Sequence, residues 1–189
     1  MNLPNKLTLL RIFMIPVFVA IFYLRVIPYN FCISAGVFAL AALTDFLDGY
    51  IARKYNLVTD MGKFLDPIAD KVLVSTALIL VLVPPQGITI LPWYASIMVA
   101  VILARELIIS GFRLVAAGKN QVISADKSGK IKTFFTDLAI LLILVSADIT
   151  PYAFDLLNIL GTVALAISTL LTIYSGVECL VKNRGVLRS

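Results

Sequence analysis

Four aspartates, Asp45, Asp48, Asp66 and Asp70, fall within one short stretch of an otherwise apolar chain. Asp45 and Asp48 are three residues apart, and Asp66 and Asp70 are four apart, so on helices each pair shares one face. If the two segments are antiparallel neighbours, all four carboxylates aim at one spot. Four like charges at close range cannot all stay ionised without compensating cations. Lysines and arginines in a buried network would be one answer. A divalent metal is the better one, because it explains why every acid gathers at the same end. The chain has no histidine, and an oxygen-only ligand set favours Mg2+, Mn2+ or Ca2+.

The absence of histidine also removes Ser/His/Asp triads, Cys/His dyads and histidine metal sites. Cys32 and Cys179 lie far apart in apolar segments and form no CxxC, so they read as packing residues. There is no GxGxxG and no P-loop. The net charge of +5 sits in a chain that is 60% hydrophobic and only 14% charged. It therefore points to loops facing anionic lipid and not to nucleic acid.

The elements that must position these acids are membrane helices. A mean hydropathy of +0.99 lies far from that of a soluble domain. Apolar stretches fall at 9–24, 31–51, 66–83, 91–117, 133–147 and 152–181. Each approaches the ~20 residues that a bilayer-spanning helix needs. The expected fold is an all-α integral membrane protein of six transmembrane helices in one domain, 1–189. Met1–Arg11 is expected as a short interfacial helix before the first span, with Leu3, Leu7 and Leu10 toward lipid. The first span exceeds a signal-peptide core and lacks a cleavage site, so it is expected to stay. Trp93 and Tyr94 are expected as interfacial anchors.

With six spans, one side collects Lys6, Arg11, Arg53, Lys54, Lys63, Lys119, Lys127, Lys130, Lys132, Lys182, Arg184 and Arg188, and the other only Arg25. This asymmetry puts both termini and the four aspartates at the cytosolic side of a multi-pass cell membrane protein. Asp66 and Asp70 then fall in the first turns of the third span. Pro67 would be tolerated there, because a first helical turn needs no intrahelical N–H donor.

Residues 45–70 read DFLDGYIARKYNLVTDMGKFLDPIAD: D-x-x-D-G-x-x-A-R, eight residues, then G-x-x-x-D-x-x-x-D. This resembles the signature of the CDP-alcohol phosphotransferases and matches it at every defining position. The resemblance implies a six-helix membrane enzyme, homodimeric, that displaces CMP from a CDP-linked donor with an alcohol acceptor and uses divalent metal. The opening NLPNKLTLLRI, RELIISGFRLVAA (105–117) and SADKSGKIKT (124–133) resemble the branch that takes sn-glycerol 3-phosphate as acceptor and CDP-diacylglycerol as donor. With these flanks it covers most of the chain. Serine, an inositol phosphate or phosphatidylglycerol would be the alternative acceptors within the family.

By this resemblance Asp45, Asp48, Asp66 and Asp70 would ligate two Mg2+ or Mn2+ ions that bridge the donor diphosphate, and Asp70 would also be the general base. Gly49 and Ala52 would keep a helix face bare for the nucleotide, although small residues also favour close helix packing. Arg53 would pair with the diphosphate, and Asn5 and Thr8 match an N-terminal PNxxT pattern at the donor site. For the acceptor phosphate, Arg105 and Arg113 lie two turns apart on one face. Ser128, Gly129, Lys130 and Lys132 lead into the fifth span. Arginine's rigid fork of donors suits phosphate, whereas loop lysines also commonly contact lipid headgroups. Glu106 and Asp137 are expected to pair with these cations. A carboxylate-based cation transporter and a non-catalytic scaffold are the readings from other classes. The first would hold its acids near the bilayer midplane, and the second would not need the full carboxylate set.

Overall fold

The computed structural model describes residues 3–24, 26–54, 60–85, 90–118, 127–149 and 151–184. Within these, the side chains of 3–5, 46–53, 60–61, 63–64, 127–128 and 151–155 lie outside the description. The described residues form six α-helices and no strand: α1 Leu3–Tyr23, α2 Asn30–Lys54, α3 Asp60–Leu82, α4 Ala95–Gly118, α5 Lys127–Ser146 and α6 Pro151–Lys182. Among the described residues three have segments long and apolar enough to cross a membrane, Lys6–Tyr23, Ala95–Gly118 and Leu156–Lys182, and the apolar residues described in α2 run over Asn30–Asp45. Charges of the candidate site, Asp66, Asp70 and Lys71 in α3 and Lys130, Lys132 and Asp137 in α5, interrupt the apolar runs of those two helices.

The helices run alternately up and down. At one end the start of α1 meets the end of α2 and the start of α3, through Arg11 with Asp45 and Thr8 with Asp66. At the other end the Tyr23 hydroxyl donates to the Val83 carbonyl, 3.2 Å away, and Asn158 donates to the Ile90 carbonyl. Asp148 accepts from the Cys32 amide at 2.6 Å. It thus closes the first turn of α2, where backbone N–H groups lack helical partners and a carboxylate suits the dipole. Between the ends, Phe18, Phe22, Phe38, Leu73, Leu78, Ile140, Ile143, Leu144 and Leu165 form a closed apolar core. Helices α5 and α6 approach closely at Gly161, where an added Cβ would sit 2.7 Å from the Ile143 side chain.

Two expectations need correction. Among the described residues there is no separate interfacial helix, because α1 is continuous from Leu3 to Tyr23. Leucines at positions 3, 7 and 10 keep the period of the span that follows, so nothing breaks the helix between them. Pro67 is not in a first turn either. Helix α3 begins at Asp60 and carries Pro67 in its interior, so the Lys63 carbonyl has no i+4 amide to accept from. The free cysteines are as expected, Cys179 buried and Cys32 half-buried, with no disulfide between them.

Candidate active site

Helix α1 brings two polar side chains to the carboxylates from one face, three residues apart. Thr8 is fully buried, and its hydroxyl donates to Asp66 Oδ1 at 2.5 Å. Arg11, at 0% exposure, places Nη1 2.6 Å from Asp45 Oδ1, and its Nε donates to the Ala41 carbonyl at 3.3 Å. Arg11 is therefore not a cytosolic loop cation, as its place in the charge asymmetry implied. It is folded into the bundle because a carboxylate and a carbonyl on α2 replace the water it gives up. The sequence did hold a signal, since an ionisable residue inside an apolar run is itself a functional hypothesis.

Asp70 lies one turn beyond Asp66 on α3, half-buried. It is within electrostatic reach of Asp45, Arg11, Lys71 and Lys132. Asp45, Asp66 and Asp70 thus lie toward the same end of the bundle, on α2 and α3. Asp48, Gly49, Ala52 and Arg53 fall on the last turns of α2, and their side chains lie outside the described residues, as does that of Asn5 on α1. Among the described residues no three acidic or cysteine side chains converge closely enough to form a metal site. The donor chemistry nevertheless fits a hard divalent ion. The groups are carboxylate oxygens only, and a carboxylate has about four lone-pair directions, so it can serve an ion as well as a protein partner.

Beside the carboxylates lies a cavity of about 270 Å³ between α3, α4, α5 and α6. Its wall carries Lys71, Arg105, Arg113, Lys130 and Lys132, together with Asp70, Glu106, Gly129 and Thr133. The cations expected from sequence, Arg105, Arg113, Lys130 and Lys132, thus converge here, and the side chain of Ser128, expected beside them, lies outside the described residues. Lys71 and Glu106 are additions to that set. Lys71 donates to Ser110, which in turn donates to the Glu106 carbonyl. Glu106 Oε1 receives both Arg105 Nη1, at 3.1 Å, and the Lys132 ammonium. The other Arg105 terminal nitrogen donates to Ser175 on α6 at 2.8 Å. Gly176 makes room for this arginine, since a Cβ there would lie 3.1 Å from Arg105 Cγ. Glu106 pairs with cations as expected. Asp137 does not pair so: its Oδ1 is buried without a hydrogen-bond partner, within reach of the charges of Asp70 and Asp45.

A smaller pocket of about 40 Å³ shares Asp70, Lys71, Glu106 and Lys132 with the main cavity and continues inward to Val74, Leu78, Ile102 and Leu103. Asp70 is therefore the point where the carboxylate group and the cationic cavity meet. A base that faces bound anions from one side and acids from the other can take a proton from a hydroxyl while cations hold the rest of that molecule.

Comparison with known proteins agrees with this arrangement. The family model described as CDP-alcohol phosphatidyltransferase matches residues 1–174. A CDP-diacylglycerol–glycerol-3-phosphate 3-phosphatidyltransferase of Bacillus subtilis (strain 168) is 40% identical over 200 residues, covering 100% of this chain and 98% of its own length. Proteins of the same name are 39% identical over 175 residues in Rickettsia bellii, with 93% and 91% covered, and 36% identical over 191 residues in Salmonella paratyphi A, with 98% and 97% covered. A signature complete at every defining position, carboxylates gathered at one end of a helical bundle, and likeness along the whole chain agree: the protein belongs to the CDP-alcohol phosphatidyltransferase family.

Proposed function

We propose that this protein transfers the phosphatidyl group of CDP-diacylglycerol to sn-glycerol 3-phosphate, giving phosphatidylglycerophosphate and CMP. The observation that carries the reading is the meeting of the carboxylate group with a five-cation cavity at Asp70. The names of the relatives support the same donor and acceptor. In the reaction the acceptor's primary hydroxyl oxygen bonds to the phosphorus that carries diacylglycerol. The bond from that phosphorus to the CMP oxygen breaks, and CMP leaves with the bond's electron pair. Asp70 takes the hydroxyl proton. Arg105, Arg113, Lys130 and Lys132, with Ser128, hold the acceptor's phosphate so that the hydroxyl points at Asp70. Such positioning turns a bimolecular encounter into a near-attack arrangement.

Asp45, Asp48, Asp66 and Asp70 would hold the divalent metal, two Mg2+ or Mn2+ ions, which neutralises the donor diphosphate and eases departure of CMP. Arg53 pairs with that diphosphate, Gly49 and Ala52 leave a face open to the nucleotide, and Asn5 lies nearby on α1. Thr8 acts through Asp66. All 189 residues form one unit of six spans, a homodimer in the cytoplasmic membrane, with both termini and the site on the cytosolic side. The charge asymmetry and the alternating helices support this orientation. A cavity wall rich in cations favours an acceptor with a phosphate over serine.

The test is CMP release by purified protein from CDP-diacylglycerol with glycerol 3-phosphate, serine, inositol phosphate, phosphatidylglycerol or plain glycerol as acceptor. Glycerol 3-phosphate should be strongly preferred and plain glycerol poor. Preference for serine would overturn the acceptor assignment.

A further inference from the structure

Lys132 is 7% exposed, so its ammonium has left water and needs a carboxylate. Two acids line the cavities it faces, Glu106 and Asp70. It is bound to Glu106, which holds Arg105 as well. Yet Asp70 lines the same two cavities and lies within electrostatic reach of Lys132. The ammonium thus has one partner and one alternative, and the alternative is the group assigned as the base.

We propose that Glu106 is a positioning residue that anchors Lys132 and Arg105 in the cavity wall and keeps the Lys132 ammonium off Asp70. This rests on the function proposed above. Glu106 itself contacts no reacting atom. Its carboxylate is placed to receive both cations because α4 brings it against α5, while Ser175 and Gly176 on α6 fix the far side of Arg105. Two contacts on one oxygen hold the cations at a set spacing, so an arriving phosphate meets donors already aimed. Without the charge of Glu106, Lys132 turns to the remaining acid. The anion site loses a donor, because the Lys132 ammonium has left its place beside Arg105.

The discriminating experiment compares Glu106→Gln with the double variant Glu106→Gln/Lys132→Met, in steady-state CMP release with each substrate varied. In Glu106→Gln the KM for glycerol 3-phosphate should rise about tenfold or more, as for loss of a charge-assisted contact. The KM for CDP-diacylglycerol should be unchanged. Adding Lys132→Met should raise the acceptor KM little further, because in Glu106→Gln the ammonium has already left the anion site, whereas Lys132→Met alone should raise it about as much as Glu106→Gln does. Two independent contributions would instead multiply. Should Glu106→Gln not purify folded, Glu106→Asp, which keeps the charge but shortens the reach, carries the same comparison with Lys132→Met. Losses in acceptor KM that multiply in the double variant, or an unchanged acceptor KM in Glu106→Gln, overturn the proposal. If wild-type protein does not use glycerol 3-phosphate at all, the functional reading fails instead.

Discussion

Around Asp45 and Asp66, charge is organised from outside the group. Arg11 and Thr8 reach in from α1, and each holds one oxygen of one carboxylate. Around Arg105 and Lys132 the charges organise one another through a single shared oxygen of Glu106. The first region presents oxygens as ligands would be presented, fixed by buried partners behind them, as outer-shell groups fix metal ligands. The second presents cations whose counter-charge is local and exchangeable, as suits a substrate anion that comes and goes. This contrast supports the proposed division, in which the carboxylate side serves metal and donor diphosphate and the cationic side the acceptor, with Asp70 on the border.

Chelation should separate the two sides most sharply. EDTA is expected to abolish turnover, and Mg2+ or Mn2+ to restore it, measured as CMP release. Full activity in thoroughly chelated protein would remove the metal from the carboxylate side. Next in size is Asp70→Asn, which keeps shape but removes basicity. A general base contributes roughly 10²–10⁴-fold, so kcat should fall by at least that while the protein still inserts and purifies. Near-normal turnover would deny Asp70 both of its roles.

Arg113→Ala and Lys130→Ala address the cationic side alone. Each removes a charge-assisted contact of ~1.5–3 kcal/mol, so the acceptor KM should rise roughly 10- to 150-fold at tenfold per 1.4 kcal/mol. The donor KM should move far less, and plain glycerol should be scarcely penalised further. Equal damage to both substrates would erase the division between the regions. The smallest effect expected is that of Thr8→Val, which deletes the hydroxyl that holds Asp66. Loss of such a supporting contact costs about 10–100-fold in metal affinity or activity, so the metal concentration for half-maximal CMP release should rise with the acceptor KM unchanged. A change in acceptor KM alone would place Thr8 on the wrong side of the comparison.

The carboxylate half was legible early because its information is local. Asp45 and Asp48, and Asp66 and Asp70, are set by helical spacing within 45–70, and the positions between them restrict the chemistry further. The cationic half was legible only in outline. Arg105 and Arg113 share a helix, but Lys71, Lys130 and Lys132 come from others, and no spacing rule relates α3 to α5. Arg11 was misplaced for a related reason, since from sequence an arginine near a helix start looks the same whether it faces water or a buried carboxylate. Helix boundaries were the weakest point. The spacing puts Pro67 in a first turn, whereas α3 begins at Asp60.

What the chain determines by itself is therefore its apolar, all-helical character and the helical spacing of its aspartates, because hydrophobicity and helical period act between near neighbours. What only the tertiary structure decided is which partner each charge takes. Arg11 sits on Asp45, Thr8 on Asp66, and Lys132 on Glu106 and not on Asp70. Those choices depend on distances between helices far apart in sequence, and in a low-dielectric bundle a shift of a few ångströms changes which pair forms.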